Sequence, residues 1–258
     1  MRTLVHLSDL HFGRVDSTVA DALSALLGRL NPNVVAVSGD FTQRARQSQF
    51  RQARAFLDSL PRPQVVVPGN HDIPLYNLVA RAFSPLGGYK RHITSDLQPV
   101  HTDAELAVLG MNTTQPKSHK GGAVNYDDLQ RVCGVLGGLG DDVVKVVVGH
   151  HPFDDTGAVE RMVTAGADVF LTGHLHVTYA GHTAERYDVG GRSAIVVEAG
   201  TATSTRMRGE ANAFNLLTIN RDQVVVESYG WQPTQNTFAV GDVTRFERSS
   251  NGWASAPR

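Results

Sequence analysis

Cysteine is almost missing from this chain: Cys133 is the only one in 258 residues. That excludes an intramolecular disulfide and any zinc site built on thiolates, and it points to a reducing compartment. Cys133 lies in YDDLQRVCGVLGGL among apolar residues at helical spacing, where a packed free thiol is the expected role. A surplus of one charge is missing too. With 24 basic and 25 acidic residues the formal net charge is −1, so no global field draws the chain to nucleic acid or an anionic membrane, although a local basic patch stays open. Aromatic residues are 7% of the chain and do not interleave with basic ones as a nucleic-acid groove requires. No apolar run reaches membrane-spanning length, and the opening MRTLVHLSDLHFGR interrupts its apolar stretch at His6 and Asp9, too early for a signal peptide. The cytoplasm is the expected location. Repeats, heptads and low-complexity linkers are also lacking.

What is present reads as one α/β domain. Short β-branched runs, TLVHLS (3–8), NVVAVS (33–38), QVVVP (64–68), ELAVLG (105–110), VVKVVVG (143–149) and DVFLT (168–172), are strand-length. Between them STVADALSALLGRL, SQFRQARAFLDSL, NYDDLQRVCGVLGGL and TGAVERMVTAGA carry apolar residues at three- and four-residue spacing, the pattern of amphipathic helices. Beyond about residue 190 the helical pattern stops. SAIVVEA, AFNLLTIN, QVVVESY and TFAVGDVTRFE then predict consecutive strands, with a tight turn at Asn220, Arg221 and Asp222. The expected architecture is a pair of mixed sheets with helices outside, increasingly antiparallel toward the C-terminus. Residues 1–248 are read as a single domain and 249–258, SSNGWASAPR, as a flexible tail.

The informative residues follow the runs. TLVHLS leads into Asp9 and His11, NVVAVS into Asp40, QVVVP into Gly69, Asn70, His71 and Asp72, VVKVVVG into His150 and His151, and DVFLT into Gly173, His174 and His176. Each block alone has an ordinary explanation as a turn, a polar strand end or, for Asp72, the cap of a helix beginning near Pro74. Together they differ. In open α/β sheets the carboxyl ends of strands converge on one crevice, so five such exits are expected to deliver one site. Carboxylate, amide and imidazole donors without thiolate suit manganese, iron, zinc or cobalt rather than calcium. Asp9, His11, Asp40, Asn70, His150, His174 and His176 are more donors than one ion with an open position uses, so two ions are implied, with Asp40 as the bridge. His174 and His176, two apart on an extended exit, then each reach a different ion.

These blocks resemble the calcineurin-like binuclear metallophosphoesterases, whose pattern is D-x-H, G-D, G-N-H-[DE], G-H and G-H-x-H. The resemblance implies a four-layer α/β/β/α sandwich. It also implies one metal on Asp9, His11 and His176, a second on Asn70, His150 and His174, Asp40 shared, and His71 against the substrate. The chemistry such a site performs is attack on phosphorus by a hydroxide held between two cations, with His71 protonating the leaving oxygen. Asp72 orients the His71 ring in that reading; helix capping is the equal alternative. More loosely, DLHFGR, GNHD, GHHPF and TATSTRMRGEANAFNLLTI look like the bacterial class III cyclic-nucleotide phosphodiesterases, which implies hydrolysis of 3′,5′-cyclic nucleotides to 5′-monophosphates. Another phosphoesterase activity (on glycerophosphodiesters, nucleotide sugars or monoesters) remains the alternative, and a non-catalytic scaffold is disfavoured because the full donor set is present. The expected partner is a small-molecule phosphodiester. Asn112, Arg206 and the neighbour of a ligand, His151, are expected near the substrate, with Thr113 and His119 beside Asn112. Extended alternation points His151 away from its neighbour, either as support behind the ligands or as groove wall. Thr201 to Glu210 reads either as a cleft-reaching loop or as a solvated hairpin. Trp231, Phe238 and Phe246 are compatible with internal packing or with a homodimer.

Overall fold

A strand such as VKVVV, residues 144–148, is buried along its whole length, and a strand with no polar face needs cover on both sides. The computed structural model, which describes residues 1–118, 121–183, 192–205 and 210–256, supplies that cover with two stacked sheets and two outer layers of helices. In chain order the first half runs β1 (Arg2–Leu7), α1 (Ser17–Leu30), β2 (Val34–Val37), α2 (Gln47–Ser59), β3 (Gln64–Val66), α3 (Leu78–Phe83) and α4 (Gly87–His92). There follow β4 (Val100–Thr102), β5 (Leu106–Gly110), α5 (Tyr126–Gly138), β6 (Val144–Val148), α6 (Thr156–Thr164) and β7 (Val169–Thr172). The strand-rich end comprises β8 (Tyr179–His182), β9 (Ile195–Glu198), β10 (Ala213–Ile219), β11 (Gln223–Gln232), β12 (Thr237–Ser249) and β13 (Gly252–Ser255).

One sheet has the order β13-β12-β11-β10-β1-β2-β3 and the other β4-β5-β6-β7-β9-β8. The strands from the βα half are parallel, while β10 to β13 and the edges β4 and β8 are antiparallel. This is the pair of mixed sheets with outer helices that the strand and helix patterns predict, and the four-layer α/β/β/α sandwich that the family resemblance implies. Alternation along each strand builds its three apolar layers. Leu4, Val34, Ala36, Val146 and Val148 face the space between the sheets. Val5, Leu7, Val35 and Val37 pack under Leu23 and Leu27 of α1 and Phe50 and Leu57 of α2. Val147 and Phe170 meet Leu129 and Leu136 of α5 and Met162 of α6. The helices begin where their polar caps stand: Asp16, Asn125 and Asp155 accept backbone N–H groups at the starts of α1, α5 and α6. Among the described residues no helix is long and apolar enough to cross a membrane.

Two expectations change. Asp72 does not cap a helix beginning near Pro74, because the next α-helix starts at Leu78 with Asn77 as its cap; its carboxylate accepts the Gly69 N–H that opens the single 3₁₀ turn Asn70–Asp72. The segment 249–256 is no frayed tail either. Gly252–Ser255 pairs antiparallel with β12 and carries Trp253 into the core between the sheets, 1% exposed. The Trp253 indole N–H donates to Asp168 Oδ1 at 2.9 Å, and the Arg248 guanidinium stacks 4.6 Å from its ring centre. A lone tryptophan among small polar residues gives no periodic signal, and its pocket is made by residues far away in the chain. Trp231, Phe238 and Phe246 are buried within the same molecule. Replacing Trp253 by Ala is expected to cost about 3–5 kcal/mol of stability, read from denaturant unfolding; a change near zero would return 249–256 to the status of a tail.

Candidate active site

The strand exits are held together by hydrogen bonds that continue the parallel pairing past the strands. Asp9 N–H reaches the Gly39 carbonyl at 3.1 Å and His11 N–H the Asp40 carbonyl at 2.9 Å, while Gly173 N–H reaches the His150 carbonyl at 2.9 Å. Two further bonds tie one sheet to the other. His174 N–H donates to Asp9 Oδ2 at 3.0 Å, and His150 Nδ1 lies 2.7 Å from the Ser38 carbonyl oxygen. A carbonyl only accepts, so Nδ1 carries the proton and Nε2 offers its lone pair to the cleft. Five of the seven expected ligands occupy the left-handed backbone region: Asp9 (φ 54°), His11 (51°), Asp40 (56°), His174 (70°) and His176 (62°). For residues with a Cβ this conformation costs of order 1 kcal/mol each or more, and such strain persists where surrounding structure enforces it for a site.

The result is a buried cluster of like-directed donor atoms. His176 Nε2 lies 3.1 Å and His11 Nε2 3.4 Å from Asp9 Oδ1, and the two imidazole nitrogens are 3.4 Å apart. Asn70 Oδ1 sits 3.1 Å from His150 Nε2 and 3.0 Å from His174 Nδ1. Asp40 stands between the groups, its Oδ2 3.8 Å from His11 Nε2 and its Oδ1 3.5 Å from His150 Nε2. Asp9 Oδ1 is fully buried against the imidazole nitrogens of His11 and His176, a meeting of charge and lone pairs that a cation would satisfy. The donor set of Asp9, His11 and His176, and that of Asp9, Asp40 and His150, each lie within ligand reach of a common point. Burial acts to raise the Asp9 pKa, but bonding to His11 and His176 and the charge of His150 outweigh it, holding the carboxyl well below its ordinary range. Burial pushes His150 down to about 4, Asp9 opposing, so this imidazole is neutral and able to coordinate near pH 7.

Glycine is required in two of the blocks by close approach. A Cβ on Gly69 would lie 2.2 Å from Asp40 Oδ1, and one on Gly173 1.8 Å from Ser8 Oγ and 2.8 Å from Asp9 Oδ2. Backbone packed this tightly against the carboxylates is the physical reason for glycine before Asn70 and before His174. Ser8 Oγ in turn donates to Asp9 Oδ2 at 2.6 Å.

The seven expected ligands and His71 are brought together. The others fall differently. Asp72 is fully buried, and its oxygens accept from Gly69 N–H, Phe41 N–H, Thr42 N–H and the Thr42 hydroxyl at 2.9–3.2 Å. It therefore braces the Asn70 loop against the Asp40 loop and does not orient the His71 ring. That ring is set by the Gln43 carbonyl, 3.0 Å from Nδ1, a contact with no sequence signal because the acceptor is backbone. His71 N–H also donates to Asp40 Oδ1 at 2.8 Å. His151 does not point away from its neighbour, since the chain bends at residues 150–151 and strand alternation ends there. It is 2% exposed, its Nδ1 3.0 Å from the Thr113 hydroxyl and its ring 4.6 Å from that of His174, so it packs behind the ligands. Burial, then the charges of His150 and His174, depress its pKa to about 2. Asn112 Oδ1 accepts from the N–H and hydroxyl of Thr114, which makes it a turn residue. Thr201 to Thr205 packs along the β1 exit through Ala202 N–H to Ser8 O and Thr203 Oγ1 to Leu10 O. Arg206 and His119 lie outside the described residues.

Gly69→Ala is expected to displace Asp40 and lower bound metal at least tenfold in metal analysis of the purified protein, with circular dichroism unchanged; full metal content would show that the approach is not needed. A second expectation concerns acid. His6, His150 and His151 are held by burial to about 3, 4 and 2, so between pH 6.5 and 4 the unfolded chain binds more protons than the folded one. Stability of the metal-free protein should fall as pH drops through that window, by up to about 1.4 kcal/mol per pH unit for each imidazole. A urea midpoint that stays flat from pH 7 to 5 would contradict this.

Comparison with known proteins places the chain in one family and fold. The family model for calcineurin-like phosphoesterases matches residues 2–178. Glycerophosphodiester phosphodiesterase GpdQ of Enterobacter lignolyticus (strain SCF1) is 39% identical over 80 residues, 27% of this chain and 29% of that protein. A purple acid phosphatase from yellow lupin has the same fold at TM-score 0.72 and 12% identity, covering 96% of this chain and 54% of the lupin chain. Vps29 of Chaetomium thermophilum superposes at TM-score 0.53 and 12% identity over 96% of this chain and 99% of its own. This chain thus spans about half of the lupin phosphatase, and its match to the glycerophosphodiesterase is under a third of that protein. With the family model covering more than half of its length, the chain belongs to the calcineurin-like phosphoesterases.

Proposed function

We propose that this protein is a phosphodiesterase working with two transition-metal ions drawn from manganese, iron, zinc and cobalt, on a small-molecule diester. The observation that carries the reading is Asp40, whose two oxygens face His11 Nε2 and His150 Nε2 at 3.8 and 3.5 Å. Asp9, His11 and His176 make one ligand set, Asn70, His150 and His174 the other, and Asp40 is common to both. When bound, the two cations supply activation of water at neutral pH and neutralise charge on the phosphoryl oxygens.

The remaining work falls to side chains of the protein. Ser38 and Ser8 lock His150 and Asp9 in orientation through their 2.7 and 2.6 Å contacts. His71 is half-buried beside the cluster, its ring centre 4.8 Å from that of His11. Its Nδ1–H is held by the Gln43 carbonyl, so proton exchange occurs at Nε2, and the cationic ring delivers that proton to the departing oxygen.

The substrate class we put first is the 3′,5′-cyclic nucleotides, on the motif resemblance of DLHFGR, GNHD and GHHPF; glycerophosphodiesters come second, on the 80-residue likeness to the named glycerophosphodiesterase. The manganese-loaded protein should cleave bis(p-nitrophenyl) phosphate in preference to p-nitrophenyl phosphate, and 3′,5′-cyclic AMP in preference to a glycerophosphodiester. His71→Gln should lower kcat on the order of 10²- to 10⁴-fold with metal content kept, and Asp40→Ala should lose metal and activity together. Preference for the monoester would make it a phosphatase, and inactivity with every metal a scaffold.

A further inference from the structure

Helix α3 is amphipathic in the wrong direction for a soluble surface. Leu78, Val79 and Phe83 are 71%, 70% and 87% exposed, and Tyr76 just before them is 78% exposed. At 100° per residue Leu78, Val79, Ala82 and Phe83 share one face. The opposite face is pinned to the body by a charged residue: Arg81 donates to the carbonyls of Pro74 at 3.3 Å and Ser118 at 2.8 Å. The chain has thus turned its arginine inward and its large apolar side chains to water, although no residue of α3 is buried. Four large exposed apolar residues within eight positions are a patch, not scattered exposure.

Cations gather beside that patch. A groove of about 620 Å³ beside it is lined by Arg44, Arg46, Arg91 and Tyr76. Lys90 is exposed next to Arg91. Residues 59–95 hold a single carboxylate, Asp72, and that one is fully buried under the active site. In a chain with net charge −1 this is a strong local excess of cations. Arg44 on the groove wall is next in sequence to Gln43, whose carbonyl holds the His71 ring.

We propose that this face, α3 with the Arg44–Arg46–Arg91 groove, docks the protein on an anionic lipid surface, the apolar side chains entering the headgroup region and the arginines meeting lipid phosphates. Apolar residues on one side of a short helix with flanking cations are the physical requirements for interfacial binding, and each requires the other. A second copy of the chain fits less well: isologous pairing of this face would set two groups of arginines against each other. The proposal goes beyond the phosphodiesterase reading and stands without turnover.

The test is co-sedimentation of the full-length protein with vesicles of equal parts phosphatidylglycerol and phosphatidylcholine, and with phosphatidylcholine alone. Binding to the anionic vesicles, weakened by salt, and little to the neutral ones is expected. The exposed-site variant Leu78→Ser/Phe83→Ser should weaken it tenfold or more while leaving hydrolysis of bis(p-nitrophenyl) phosphate unchanged. Arg46→Glu/Arg91→Glu should remove the preference for anionic lipid. Absence of binding to anionic vesicles, or binding that neither variant weakens, would overturn the proposal. So would gel filtration showing a dimer that Leu78→Ser/Phe83→Ser converts to monomer, which would make the face a subunit contact. Loss of diesterase activity in the parent protein with vesicle binding intact would sink only the phosphodiesterase reading.

Discussion

Two buried carboxylates facing a set of buried imidazoles are the constraint around which the rest of this structure is arranged. Asp9 and Asp40 are at most 1% exposed, and the nitrogens of His11, His150 and His176 approach them at 3.1–3.8 Å. Charge and lone pairs this concentrated are costly without cations. The surrounding backbone resists their relaxation by bonding each exit to its neighbour and one sheet to the other. Left-handed conformations at five ligand positions are the local cost of aiming side chains from parallel strands into one cleft.

The support reaches further than the donors themselves. Asp72, two residues beyond Asn70, spends its carboxylate on the backbone of the Asp40 loop. His151 stacks behind His174 and His150 and is tied to Thr113. A sixth exit, at Asn112 to Thr114, is thereby recruited to hold the site while its own side chains form turns. Asp72 and His151, which adjacency in sequence placed at the reaction, contact loop backbone and ligand rings in three dimensions, and a main-chain carbonyl lies against the His71 ring.

Outside the cleft, the surface is uneven in a way that composition hides. A chain with almost balanced charge places cations and large apolar side chains together between residues 44 and 91, around a short helix, α3, that buries nothing. The core is complete without α3, none of whose residues is buried, so its apolar face is free of any folding requirement. That freedom is what makes a role at a surface the physical reading of it.

The chain's order of runs and exits determined a great deal by itself. Alternating strand and helix patterns, the all-antiparallel end and the five blocks from Asp9 to His176 are local features, legible because strand burial and ligand chemistry need particular residue types at short spacing. α3, α4 and the edge strands β4, β8 and β13 were not legible, being short and without clean periodicity. What only the tertiary structure decided rests on contacts between distant positions: His174 with Asp9, 165 residues apart, His150 with Ser38 at 112, and Trp253 with Asp168 at 85. Which nitrogen of His150 faces the cleft, whether Asp72 serves its neighbour or a loop 30 residues away, and whether Trp253 is core or tail are settled there. Local patterns encode which groups a segment can offer; packing between segments determines where those groups point and what is left to meet them.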